Sequence, residues 1–210
     1  MNIEPKILVA IPYHKEKKYC LAHLLKIIEE FSYKNIEVVM RWDISQYGGR
    51  DNVKRQREFF RQMVLKDDSF THLYFLGADT IPPADALERL LIHDKDIVGG
   101  VYWGRHNAPL GSSEGAVAWI NTMSQEDQSK TFLNENSLIE IDGMGMDCVL
   151  FTRAVLEKVS WLSWEQNDDD YPYYDKAKEN GFNCYIDTSI QCKHYFNSCG
   201  YAYLGKVFFK

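Results

Sequence analysis

Residues 72–83 read HLYFLGADTIPP, and the succession of residue types in this stretch decides the fold. Leu73, Tyr74, Phe75 and Leu76 form an unbroken apolar run. It is too short for a helix and has no polar alternation, as expected of a strand over 72–76 buried on both faces. Gly77 interrupts the chain, and Asp79 stands just past the strand end. Pro82 and Pro83 suit the opening of a helix, where a missing N–H is harmless, and Leu87, Leu90 and Leu91 continue it at helical spacing.

The same alternation repeats on either side. Residues 6–11 (KILVAI) are a first buried strand closed by Pro12. Leu21, Leu24, Leu25 and Ile28 then mark an amphipathic helix over 20–31. Residues 36–42 are a second buried strand. Gly48 and Gly49 break the chain before a helix over 53–65 with Phe60, Met63 and Val64 on one face. Residues 97–101 are a fourth strand. Strands alternating with helices predict an α/β fold with a mainly parallel central sheet flanked by helices. Ligands of such sheets sit beyond the carboxyl ends of the strands. That singles out Pro12, Tyr13 and His14, then Asp43, then Gly77, Ala78 and Asp79.

The second half is less regular. Residues 104–136 read as a long loop with a short apolar stretch at 117–120, and long loops inside compact domains are commonly functional. Strands follow over 138–142 and 148–151, around Gly143 and Gly145. Helices follow over 153–159 and 173–180, the latter closed by Gly181. Residues 184–187 and 190–193 are extended and lead to His194. One domain is expected over 1–210, with 1–103 as a nucleotide-binding half and 104–210 as an acceptor half.

Composition removes several classes of function. Hydrophobic residues at 45% and charged residues at 26% are ordinary for a globular chain. The net charge of −6, with no basic run, disfavours a nucleic-acid partner. Five cysteines, an odd number in a chain too long to need staples, read as reduced thiols. The opening apolar run is a strand and not a signal peptide, and no stretch reaches the length of a membrane span. A soluble cytoplasmic protein is the expectation.

Several side chains can carry chemistry. Asp79 at the ligand edge of the sheet can hold Mg2+ or Mn2+, which bind through one or two carboxylates and substrate phosphates; as a bland alternative it caps the next helix. Asp168, Asp169 and Asp170 precede a helix, where the macrodipole alone would favour them. Arg50, Lys54, Arg55 and Arg57 flank a helix start that can meet diphosphate oxygens, or are a solvated basic face. His194, with Cys184, Cys192 and Cys199 near it in sequence, leaves zinc as a rival ion, although the spacing matches no standard finger or ribbon.

Taken in order, ILVAIPYHKE (7–16), RDNVKRQREFF (50–60), HLYFLGADTIPP (72–83), IVGGVYWGRHNAP (97–109), DGMGMDCVLFTRAVLEKV (142–159) and DDDYPYYDKAKENGFNCYIDTSIQCKH (168–194) resemble the GT-A fold glycosyltransferases. The likeness is to the small family-2-like enzymes of bacteria and viruses. The resemblance covers nearly the whole chain. It implies transfer of a sugar from a UDP- or GDP-sugar to a carbohydrate, lipid-linked or protein acceptor, with Mn2+ or Mg2+. Asp79 matches the second aspartate of the family's Asp-x-Asp motif and Gly77 replaces the first. His194 matches a further metal ligand, direct or outer. Arg55 matches the family's helix arginine, with Gln56 in place of the following Asn. Asp43 looks like the reader of base or ribose. Asp169 and Asp170 stand where the family has Glu-Asp, so Asp170 is the expected general base, with Asp169 its neighbour and alternative. Arg105, with Trp103, is placed to contact sugar or phosphate, with a core tryptophan as the alternative at 103, and 104–136 would be a closing loop. Inverting transfer is favoured. Two other readings remain open: a nucleotidyltransferase, which would ordinarily show a Gly-rich phosphate loop after the first strand, and a catalytically degenerate binding protein, for which Gly77 speaks.

Overall fold

The computed structural model describes residues 4–42, 49–104, 115–133, 137–164, 170–197 and 200–209. In chain order it contains β1 (Ile7–Tyr13), a 3₁₀ segment (Lys15–Cys20), α1 (Leu21–Glu30), β2 (Ile36–Trp42), α2 (Gly49–Lys66), β3 (His72–Leu76), β4 (Thr80–Ile81), α3 (Ala86–Ile92), β5 (Ile97–Val101) and β6 (Ala118–Trp119). There follow α4 (Gln125–Phe132), β7 (Leu138–Ile141), β8 (Gly143–Met144), β9 (Cys148–Thr152), α5 (Arg153–Lys158), α6 (Tyr171–Glu179), β10 (Cys184–Gln191), β11 (Lys193–Asn197), β12 (Gly200–Tyr203) and β13 (Lys206–Phe209).

The central sheet runs β2-β1-β3-β9-β5-β10-β7. β1 is parallel to β2 and β3, and β5 is parallel to β10. β9 lies antiparallel between β3 and β5, and β7 is antiparallel on β10. Five strands therefore share one direction and two oppose it. Both faces are covered, as the continuous apolar runs require. On β1, Leu8 and Ala10 enter one core while Ile7, Val9 and Ile11 enter the other; on β3, Leu73 and Phe75 part from Tyr74 and Leu76 in the same way. This is the two-residue period of a strand. α2, α5 and α6 cover the first face with Phe60, Val64, Val155, Leu156 and Tyr173, and α1 and α3 cover the second with Leu24, Ile27, Leu87 and Leu90. Each such side chain contributes about 1.5–3 kcal/mol on burial.

The structure departs from the sequence reading in four places. β2 is half-buried and not buried, because it is the edge of the sheet. α3 begins at Ala86, three residues past Pro83, and the prolines lie in the connection before it. The region 104–136 is not all loop: it contains β6 and α4, whose cap is Ser124, accepting from the Asp127 N–H at 3.2 Å. The extended segments 184–187 and 190–193 divide differently: β10 spans Cys184–Gln191 with an irregularity between Asp187 and Gln191, and Lys193 and His194 lie inside β11.

β11 belongs to a second sheet, ordered β13-β12-β11-β4. β12 and β13 form a hairpin whose turn holds Leu204 and Gly205 at positive φ. Through β4 this small sheet is joined to the chain just after β3, and the pairing fixes what lies beside Asp79.

Candidate active site

Asp79 sits in a tight connection between β3 and β4, where the Thr80 N–H donates to the Gly77 carbonyl at 3.1 Å. Its own carbonyl accepts from the Tyr195 N–H at 2.8 Å. β11 pairs with β4 so that His194 lies opposite Thr80. That register brings the imidazole Nε2 to 3.5 Å from Asp79 Oδ2. The other ring nitrogen is 2.9 Å from the Trp103 carbonyl. A ring held at Nδ1 by a carbonyl presents Nε2 to a ligand, the usual arrangement of a metal-binding histidine.

The third group is Asp147, which lies within the 142–159 stretch but was not singled out there as a ligand. β9 pairs antiparallel with β3, Leu76 opposite Cys148, and the Gly77 N–H continues the ladder by donating to the Asp147 carbonyl at 2.9 Å. A Cβ at position 77 would stand 2.5 Å from Asp147 Cγ, closer than any real contact. The glycine at the first Asp-x-Asp position therefore leaves the space that the Asp147 carboxylate fills. Asp79, Asp147 and His194 each offer a donor atom, all within 4.8 Å of one another, the one such grouping among the described residues. Two carboxylates and an imidazole form a predominantly hard donor set that suits Mn2+, and the cradle cut out by Gly77 fits the second carboxylate. Cys184, Cys192 and Cys148 are buried free thiols, with Cys148 and Cys192 in one apolar cluster. They contribute no donor to this grouping, and Cys199 lies outside the described residues.

The charges respond to one another. Burial alone would raise the Asp79 carboxyl, but its hydrogen bond to His194, the charge on that ring and the Lys17 ammonium outweigh it and hold Asp79 below the ordinary carboxylate range. Asp147 goes the other way, raised by burial and then by the charge of Asp79. Burial pushes His194 down, yet its hydrogen bond to Asp79 and the charges of both carboxylates lift it above the usual imidazole value. Neighbouring anions that push one carboxyl up mark a place where a cation is wanted.

Asp79 and Asp147 open into a cavity of about 290 Å3 at the carboxyl ends of β1 and β3, lined also by Pro12, His14, Lys17, Arg57, Ala78, Tyr102 and Asp170. Lys17, on the 3₁₀ segment, places its ammonium against Asp79 Oδ2. Arg57 of α2 donates to Asp170 Oδ1 at 2.5 Å. Asp170 is the residue before α6 and makes no side-chain capping bond to it, so its carboxylate is directed at the cavity and not at the helix. Asp170 also lines a second cavity of about 400 Å3, with Trp119, Gln125, Ser129 and Tyr171. There the Trp119 and Tyr171 rings stack at 4.4 Å and 6°. Trp119 needs Gly143 beneath it, since a Cβ there would come within 2.2 Å of the indole.

The structure thus gathers Pro12, Ala78, Asp79, His194 and Asp170 of the expected residues. Tyr13 is buried, with its ring edge-on to Trp42 at 4.5 Å. Arg55 is exposed and does not line the cavity. Arg57, two positions along and so on another face of the helix, does. Asp43, Arg105 and Asp169 lie outside the described residues, as do 105–114 and 134–136 of the expected closing loop.

No family model matches the chain, and no curated protein matches it. Solved structures do. The crystal structure of A197 from STIV aligns over 98% of this chain and 94% of its own, with a TM-score of 0.70 at 19% identity. The crystal structure of GalNAc-T7 with UDP, GalNAc and Mn2+ aligns over 94% of this chain with a TM-score of 0.62 at 11% identity, and the chain spans 45% of that protein's length. Among the described residues no helix is long and apolar enough to cross a membrane. At these identities the likeness is one of backbone course: the chain has the GT-A glycosyltransferase fold.

Proposed function

We propose that the protein is a metal-dependent glycosyltransferase that moves a sugar from a UDP- or GDP-sugar to an acceptor hydroxyl with inversion. The observation that carries this reading is the meeting of Asp79, Asp147 and His194, the two carboxylates lining one cavity with Asp170, on a fold shared with glycosyltransferases. GalNAc-T7 was solved with UDP and Mn2+, and an oxygen-rich site of this kind is suited to the same ion. Held by these three side chains, Mn2+ would supply Lewis-acid stabilisation to the leaving diphosphate.

The chain's own residues supply the rest. Asp170 accepts the acceptor's proton as its oxygen attacks the anomeric carbon and the bond to the diphosphate breaks. Arg57 keeps Asp170 aimed, and the acceptor must compete with that ion pair for the carboxylate. The second cavity, sharing Asp170, lies where an acceptor would approach. Its stacked Trp119 and Tyr171 beside amide side chains suit the apolar face and hydroxyls of a sugar. In this reading 1–103 binds nucleotide, 104–210 binds acceptor, and both halves contribute to the metal. A degenerate, non-catalytic protein was the reading that Gly77 favoured. Asp147, standing against that glycine, supports the metal-dependent reading by offering a second carboxylate.

A thermal-shift panel of UDP, GDP, CMP and dTDP with Mn2+ or with EDTA tests the proposal. A ligand at a hundred times its Kd stabilises by about 2.7 kcal/mol. UDP or GDP should shift the wild type only with Mn2+, and Asp79→Asn should abolish the shift. Equal shifts in EDTA would sink it.

A further inference from the structure

We propose that Lys17 is the resident counter-cation of the metal site: its ammonium occupies Asp79 while the ion is absent, and moves to the donor's diphosphate when the ion binds. The inference rests on the metal reading above. Its starting point is that the Lys17 ammonium bonds Asp79 Oδ2, the same oxygen that faces His194 Nε2 at 3.5 Å. One oxygen is therefore offered both to the ammonium and to the ion. A dication among three ligands and an ammonium on one of them repel each other, so they cannot share that atom in the same arrangement.

The two partners differ in freedom. Asp79 is fixed: its side chain is 7% exposed and its carbonyl is tied to β11. The Lys17 side chain is 38% exposed, carried by a 3₁₀ turn whose backbone is held by the Lys17 N–H on the His14 carbonyl at 2.8 Å. The lysine can leave by rotating its stem, and the aspartate cannot follow. Charge explains why it is there at all. Asp79 and Asp147 bring carboxylate oxygens within 4.8 Å of one another, and such a pair without a cation is costly. Its destination follows from the cavity wall. The remaining carboxylate on it, Asp170, is already engaged by Arg57, so the anion that Lys17 can next meet is one arriving with the metal. A diphosphate is that anion. Metal and nucleotide are then coupled, each making the other's site available, and the coupling is reciprocal.

Calorimetry on the full chain decides this with Mn2+ and with UDP or GDP as probes. Lys17→Met and Lys17→Gln, chosen because the side chain is partly exposed and either can be checked for folding by its melting curve, should bind Mn2+ alone at least tenfold more tightly than wild type. In saturating Mn2+ the same variants should bind the nucleoside diphosphate about tenfold more weakly. Unchanged or weaker Mn2+ binding in both variants overturns the exchange while leaving the metal reading standing. Mn2+ binding by neither wild type nor variants overturns the metal reading itself. Nucleotide binding that ignores Mn2+ in wild type and disappears in Lys17→Met would make lysine a permanent replacement for the ion, and overturns the exchange too.

Discussion

Asp79 and Asp170 face the same cavity but are held by different kinds of structure. Asp79 and its neighbours are set by strand registers: β3 against β9 places Asp147, and β4 against β11 places His194. Asp170 stands at the start of a helix that its side chain does not cap, and the Arg57 guanidinium donates to its carboxylate. A group fixed by a ladder can shift only if the ladder does. A group fixed by an ion pair can be released by anything that competes for the cation. The first arrangement suits a cation that must always be found in the same place. The second suits a base that must meet an acceptor and take a proton from it.

The largest effect is expected on the helix side. Asp170→Asn should lower transfer by about 10²–10⁴-fold while nucleotide affinity stays within a few-fold, measured by turnover and calorimetry in parallel. Full activity would remove Asp170 as the base and make Asp169 the residue to test. Next comes the ladder side. Gly77→Asp drives a side chain into the space of Asp147 and should weaken Mn2+ binding by about 10–100-fold, a loss typical of a disturbed ligand shell. The double variant with Asp147→Gly restores one carboxylate to the pair from the other strand, and most of the affinity should return. If it does not, the two positions are not exchanging one role. Tyr171→Ala removes half of the stacked pair in the second cavity and should raise the acceptor KM by about tenfold, roughly the loss of one such aromatic contact, with donor affinity unchanged.

The smallest effect concerns Asp187, next to the irregularity in β10. Burial would raise its carboxyl, but the His93 ring at 2.8 Å and the Ser189 hydroxyl and N–H overcome this and leave it lowered. A lowered folded value means that the stabilisation is present above the unfolded value, about pH 4, and is lost as pH falls through the folded one. Asp187→Asn should therefore cost about 1 kcal/mol at pH 7 and progressively less toward pH 3, followed by melting temperature. Mn2+ affinity should not change. If it does, the strand leading to His194 is less independent of its anchor than the pairing suggests.

β1, β3 and β5 were legible because continuous burial leaves a continuous apolar run. The sequence boundaries of 36–42, 72–76 and 97–101 coincide with β2, β3 and β5. α4 was hidden because QEDQSKTF buries only Phe132; the Ser124-x-x-Asp127 cap was the signal available. The hairpin β12–β13 and the two-residue β4 are too short to show a period. Asp79, His194 and Asp170 were found by resemblance to a motif order. Asp147 was not, because its part depends on the pairing of β3 with β9 across more than seventy residues of sequence. Its one trace was a negative one, the glycine standing where an aspartate was expected. Lys17 stands one residue beyond the 7–16 stretch and outside all six stretches that carry the resemblance.

The pairing of β11 with the two residues of β4 has an arithmetical consequence. Lys193 lies opposite Ile81 and His194 opposite Thr80, and successive residues of a strand alternate sides. Whether the imidazole of His194 reaches Asp79 thus depends on the exact number of residues between β10 and β11. Inserting one residue between Gln191 and Lys193 would bring Lys193 opposite Thr80, replacing a ligand for a cation with a cation. Inserting two would restore the side but not the residue. A length change that most surface connections tolerate would, at this point, change the charge at the centre of the site.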